Sequence, residues 1–369
     1  MKDQNLSLSN QTTPGWLASD SSDSLTVLSS RVRYARNLAN YPFPTKATVD
    51  ELEEILDMVS MAIKKEEAVN KFFLNIEPIS IDKITPLQAE FLVERHLVSP
   101  DFLNRISKKK DSKATSPSGR AVFINQDETV SLMINEEDHL RFQVLSAGLN
   151  FSDSFKKLND LDDSLESLLR FAYSPQYGFL TACPSNVGTA LRASIMIHLP
   201  GLVLTKEIEK VLRAIWQIGY AVRGLYGEGT ETRGYFFQIS NTVCLGQSEN
   251  EIIEGIEKVA NQLIAHEEKA RDYLTKHMKS EIEDKVFRAY AVLSAARLIA
   301  SEEALNLLAT VRLGVAIKII TNTSIATLNR IMFLLKPANL QVYYNQDMSP
   351  FERDEKRAAL VRQILAENI

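Results

Sequence analysis

Near residue 249 the apolar rhythm of this chain changes. Before that point, β-branched and aromatic residues come in short runs. Arg120–Asn125 and Val130–Asn135 flank the polar turn Gln126-Asp127-Glu128-Thr129, and Tyr235–Ile239 and Thr242–Leu245 flank Ser240-Asn241. Such runs predict two hairpins. Leu52, Ile55, Leu56, Val59 and Ile63 recur at helical spacing and predict one apolar stripe on a helix, and Ile208–Ile218 predicts another. After residue 249 nearly everything reads as helix: a run to Lys279, one through Ala300, and a start at Ser301-Glu302-Glu303, where a serine cap precedes acidic first-turn residues. The expectation is an α+β fold, an antiparallel sheet flanked by helices and followed by an all-helical C-terminal domain.

Size and composition fit this. The chain has 369 residues, 45% hydrophobic and 24% charged, enough for a sizeable core. The boundaries expected are a Ser/Asn/Asp-rich flexible lead-in over 1–24, a mixed domain over 25–275 and a helical domain over 276–369. Lys108 to Gly119 reads as a mobile loop. The net charge of -5 argues against a nucleic-acid partner. Two cysteines, Cys183 and Cys244, are too few for a disulfide framework. No signal-like apolar run opens the chain, and no stretch approaches the roughly 18 apolar residues of a membrane span. The expected location is cytoplasmic, with no membrane partner.

Four clusters carry chemistry. In Ser29-Ser30-Arg31-Val32-Arg33, a strand would put both guanidinium forks on one face, as a polyphosphate requires; a solvated basic strand is the other reading. Asn135-Glu136-Glu137-Asp138-His139-Leu140-Arg141 follows an apolar strand, and is either a solvated strand end or a site. Cys183-Pro184-Ser185-Asn186-Val187-Gly188-Thr189-Ala190-Leu191-Arg192-Ala193-Ser194 holds either a reactive or a structural thiol. Arg223-Gly224-Leu225-Tyr226-Gly227-Glu228-Gly229-Thr230-Glu231 has the glycines of a loop that closes on a ligand, a common pattern by itself. Neither a GxxxxGK[ST] loop nor an HRD…DFG set is present, so an ATP user here belongs to neither common kinase architecture.

Together and in this order, the four clusters resemble the phosphagen (guanidino) kinase superfamily, over roughly residues 25–270. Within it the chain is most similar to the bacterial protein-arginine kinases. Small-molecule members carry a helical domain ahead of the SxRVR motif, for which Ser29 leaves no room, and Arg353-Asp354-Glu355-Lys356-Arg357-Ala358 fits the RDxxRA motif of the protein kinases. That motif implies an allosteric phosphoarginine-binding pocket.

The resemblance implies an ATP site at Ser29, Ser30, Arg31, Val32, Arg33, His96, Arg141, Arg192, Ala193, Ser194, Ile195, Met196, Arg223, Gly224, Leu225, Tyr226, Gly227 and Glu228. Glu137 and Glu228 would be catalytic, Cys183 would shape the substrate pocket, and Mg²⁺ would be carried by the nucleotide, with no metal held by the chain. Ile124 stands where arginine kinases have a nucleotide-contacting histidine.

This chemistry suits these residues. A guanidinium has a pKa above about 12, so its nitrogen attacks only once a proton is withdrawn. Paired carboxylates can grip the planar cation while one, here Glu137, acts as base. Arginines and Mg²⁺ supply the charge that phosphoryl transfer needs.

The activity implied is transfer of phosphate from ATP to arginine side chains of proteins, marking them for quality control or proteolysis. An activator protein, Clp-type protease machinery, autophosphorylation and a homodimer joined through the helical domain are further implications. The alternatives are a small-molecule arginine kinase and a catalytically inactive phosphoarginine-binding protease adaptor.

Overall fold

The computed structural model describes residues 13–17, 25–74, 76–107, 119–224 and 234–367. Eight strands form one antiparallel sheet: β1 Val27–Arg36, β2 Ile79–Ser80, β3 Ala121–Ile124, β4 Val130–Ile134, β5 Leu140–Ala147, β8 Leu191–His198, β9 Tyr220–Gly224 and β10 Phe236–Asn241. Two short strands, β6 Tyr173–Ser174 and β7 Gly178–Phe179, make a separate ribbon. The sheet order is β2-β3-β4-β5-β1-β8-β10-β9, so the first strand lies at the centre.

Alternation along the strands sorts their residues into two faces. On one, Val32, Tyr34, Leu132, Phe142, Val144, Ala193, Ile195, Phe237 and Ile239 pack in a single core with the helices Val49–Lys65, Phe151–Glu166 and Glu249–His277. The stripe read in the sequence is buried there at Leu52, Ile55, Val59 and Ile63. Thr48 and Ser248 begin two of these helices through reciprocal capping boxes with Glu51 and Glu251.

At one end, the opposite face is covered by the C-terminal helices. There Leu28, Leu145 and Phe236 share a core with Leu308, Leu328 and Phe333 of the helices Ser301–Ala316 and Ile325–Leu334. Towards β3 and β4, Val122 and Met133 pack with Phe91, Leu97 and Phe102. The centre of this face carries polar side chains. No described helix is long and apolar enough to cross a membrane.

Three local expectations are revised. Thr242–Leu245 is not a strand, because both edges of β10 are taken, by β8 and by β9. The Asn241 amide turns the chain away by donating to Leu191 O at 3.0 Å and Val243 O at 3.1 Å. Ser301 is the first residue of its helix, with Ala300 as the cap and no side-chain cap bond. Inside the stretch expected to be a flexible lead-in, Gly15–Leu17 forms a packed turn, held by Gly15 N donating to Asp127 O at 2.9 Å with Trp16 only 2% exposed. The expected loop at Lys108 to Gly119 lies outside the described residues except for Gly119.

Candidate active site

Ladder register brings five arginines from four strands onto the polar face. Arg31 and Arg33 of β1, Arg141 of β5, Arg192 of β8 and Arg223 of β9 all share its parity, with Gln143, Ser194, Gln238 and Ser240 between them. Arg33 stands directly opposite Arg192. Like charges so placed repel. Burial, then repulsion from Arg141, Arg192 and Arg223, lowers the Arg31 pKa to about 10. Burial and Arg31, Arg141 and Arg192 push Arg33 well down as well, against a counter-pull from Glu136. Burial followed by Arg223 lowers Arg192.

Apart from Glu136, which pairs with Arg141, the protein acceptors of this array are distant. Arg31 Nε reaches Ser194 Oγ at 3.4 Å and Arg192 Nη2 reaches Ser240 Oγ at 3.5 Å. The buried Arg33 Nε has no partner among the described residues. A rigid sheet with crowded guanidinium groups and an orphaned donor fits a polyphosphate.

The acidic segment between β4 and β5 is pegged from all sides. Asn135, in the left-handed region at φ 61°, donates through Nδ2 to Leu52 O at 2.8 Å and Gly119 O at 2.6 Å. Asp138 accepts from Asn37 Nδ2 at 2.6 Å and from Ala182 N at 2.7 Å. His139 Nδ1 accepts from Leu38 N at 3.0 Å, which leaves Nε2–H to donate to Pro42 O at 2.9 Å. Asp138 and His139 are therefore framework, and burial holds the His139 pKa down to about 4.

Glu136 is buried, accepts from Ser99 Oγ and pairs with Arg141 Nη1. Burial alone would raise its pKa, but Arg141, Ser99 and Arg33 outweigh burial and leave it lowered. In the sequence the three acids form one group; only the folded turn separates one carboxylate from the next and gives Glu136 its role in fixing Arg141. Glu137 is half-buried beside it. Arg36, beyond the arginine pair in sequence, points to the other face, where Asp162 accepts from its Nε and Nη2.

The Cys183 loop lies against the same array. Its thiol is 3.1 Å from Ser185 Oγ, and both cysteines lie within electrostatic reach of Arg192. Asp138 holds the loop at Ala182, and Thr181 Oγ1 donates to Cys183 O at 2.8 Å. Gly188, at φ +119°, lets the loop lie on Cys244; an added Cβ would come within 2.4 Å of the Cys244 carbonyl oxygen.

The other expected residues divide. Ser29, Ser194 and Met196 share the arginine face, whereas Ser30, Val32, Ala193 and Ile195 are strand neighbours facing the opposite way. His96 is half-buried at φ 61°, its ring 5.9 Å from Phe333, and burial holds it neutral. Ile124 is on the arginine face, linked through Ser131 and Gln143 to Arg33. Gly224 ends β9 beside Arg223; Leu225, Tyr226, Gly227 and Glu228 lie outside the described residues.

The Arg353–Ala358 segment sits in the last helix, Pro350–Glu367. Arg353 Nη1 donates to Met348 O at 2.8 Å. Arg357 is buried, with Nε on Leu335 O at 2.9 Å and Nη1 on Ile299 O at 2.8 Å and on Asp354. Glu355 and Lys356 are exposed, and Ala358 is in the core.

Comparison with known proteins gives the family of the chain. Residues 54–270 match the family "ATP:guanido phosphotransferase, C-terminal catalytic domain", and residues 279–368 match "Protein-arginine kinase McsB C-terminal domain". A protein-arginine kinase of Pelotomaculum thermopropionicum is 44% identical over 95% of both chains, and one of Halothermothrix orenii 43% identical over 96% of this chain and 97% of its own. Among solved structures, lombricine kinase superposes with a TM-score of 0.56 at 26% identity, covering 70% of each chain. The duplicated taurocyamine kinase of Schistosoma mansoni, with bound transition-state analogue components, gives 0.57 at 27% identity; the match covers 68% of this chain but only 34% of that one. The chain belongs to the ATP:guanido phosphotransferase family, in its protein-arginine kinase branch.

Proposed function

We propose that the protein transfers the γ-phosphate of ATP to the guanidinium of arginine side chains in other proteins. The observation that carries this is the array of five arginines, with its orphaned Arg33 Nε, beside the acidic turn. In this reading Arg31, Arg33, Arg141, Arg192 and Arg223 hold the triphosphate, and Glu136 keeps Arg141 aimed. Mg²⁺ arrives on the nucleotide. Ser29, Met196 and His96 border the nucleoside, and the backbones of Ser30, Val32, Ala193 and Ile195 fix these side chains.

Glu137 accepts a guanidinium proton as the N–P bond forms, while the bond from the γ-phosphorus to the leaving ADP oxygen breaks. Glu228 completes the grip on the cation and Cys183 lines its pocket. Arginines preset on a stiff sheet need no reorganisation as charge shifts toward ADP, the condition under which electrostatic catalysis is strongest.

The same reading includes a cytoplasmic homodimer, an activator protein, delivery of marked proteins to Clp-type proteases, and regulation through Arg353–Ala358. An ATP/Mg²⁺ assay on casein and on free arginine in parallel tests the core of it. Acid-labile phosphate localised to casein arginines by mass spectrometry, lost in Glu137→Gln, is the expected result. Transfer to free arginine alone would make this a small-molecule kinase; transfer to neither would leave a phosphoarginine adaptor.

A further inference from the structure

A cavity of about 540 Å³ lies where the arginine face meets the C-terminal helices, within the range of small-ligand sites. Its floor is Ser29, Met196 and His96; its roof is Leu305, Leu308, Met332 and Phe333, with Trp16 beside them. Ser29 and Met196 are register partners on the arginine face, Ser29 two residues from Arg31 and Met196 four from Arg192. Two residues along a strand span about 6.6 Å, so the cavity begins one sugar's reach from the guanidinium groups.

We propose that the C-terminal helical region forms half of the nucleoside pocket, so that base and ribose of the substrate are held between the sheet and Leu305, Met332 and Phe333 with Trp16 as a side wall. This rests on the kinase reading above and adds to it which part of the chain holds the nucleoside.

Three observations carry it. The lining is mainly apolar and includes three rings, Trp16, His96 and Phe333, mutually 5.1 to 6.2 Å apart, which suits a flat aromatic base. Trp16 is 2% exposed and packed edge-on against Phe333, so its ring is a fixed wall rather than a mobile side chain. The roof is also clamped to the floor segment. Glu94 accepts from Ala338 N at 3.0 Å and Asn339 N at 2.9 Å, and Lys336 Nζ donates to Glu94 O at 2.6 Å. Arg95 adds a bond to Asn339 Oδ1 at 2.9 Å. Glu94, Arg95 and His96 are consecutive, so the residue facing the base adjoins the clamp that positions the roof.

Trp16 is one of two tryptophans, the other being the exposed Trp216. The test uses the full chain with Trp216→Phe, titrated with MgADP and separately with inorganic tripolyphosphate, with and without Leu305→Tyr, which fills the cavity. The expected result is that ADP changes Trp16 emission, tripolyphosphate does not, and Leu305→Tyr weakens ADP by on the order of ten-fold or more while tripolyphosphate binds both proteins alike. ADP binding that leaves Trp16 emission and the Leu305→Tyr affinity unchanged overturns the proposal while the kinase reading stands. Binding of neither probe to the parent overturns both. If Leu305→Tyr lowers the melting temperature sharply, the Trp16 signal alone decides.

Discussion

Glu136 and Glu137 adjoin in the chain, yet the fold gives them different surroundings, and their variants separate accordingly. Glu136→Gln loosens Arg141, so kcat/KM should fall by about 10- to 100-fold, chiefly through a raised KM for ATP. Glu137→Gln should reduce kcat by on the order of 10²–10³ or more with KM for ATP little changed. Steady-state kinetics at varied ATP distinguishes the two. Arg357 is a further case. The resemblance assigns it to a ligand-binding motif, and in the fold it ties segments together through Leu335 O, Ile299 O and Asp354. Its removal strands buried carbonyls, so Arg357→Ala should cost about 2–4 kcal/mol in urea unfolding. An unchanged midpoint would mean that its bonds are dispensable to the fold. His139 sets a pH dependence. An unfolded imidazole takes a proton near 6.5, but native His139 only near 4. Between those values the unfolded chain binds the extra proton, so stability should drop by about 3 kcal/mol as pH falls from 6.5 to 4. His139→Asn should flatten that slope in chemical denaturation.

At the scale of elements, the apolar period was readable in the chain, whereas the cap read at Ser301 falls to Ala300. The helix Val49–Lys65 and the hairpin of β3 and β4 fall where apolar spacing put them. Thr242–Leu245 was not so readable, since its composition suits a strand and only the prior claim of β9 on the edge of β10 excludes it. Nor could spacing foresee Trp16, a lone aromatic in a polar stretch, as a wall of the core. For the site, residue types were legible and their partners were not. Alternation put Arg31 and Arg33 on one face, but the opposition of Arg33 and Arg192 is a matter of register over more than a hundred residues. The Glu94 clamp acts as a distant cap on the helix Pro337–Tyr344. Glu94→Ala should therefore destabilise the protein by about 1–3 kcal/mol and weaken ATP binding together, read by thermal melts with and without nucleotide.

Across the whole molecule, the helical region is not an appendage. It shares one core with the sheet through Leu28, Leu145 and Phe236, so heating should unfold both in a single calorimetric transition, and a chain ended at residue 275 should aggregate. Two separated transitions in the intact protein would contradict this. The central position of β1 has a consequence in time. This strand is made early, but its neighbours are β5 and β8, and β8 ends at His198. At the usual pace of translation, β1 waits roughly 10–30 s after synthesis before both partners have been made. Until β5 has been made, its three arginines and apolar residues have no ladder at all, and until β8 follows one edge stays open, so the growing chain carries an unpaired strand as it leaves the ribosome.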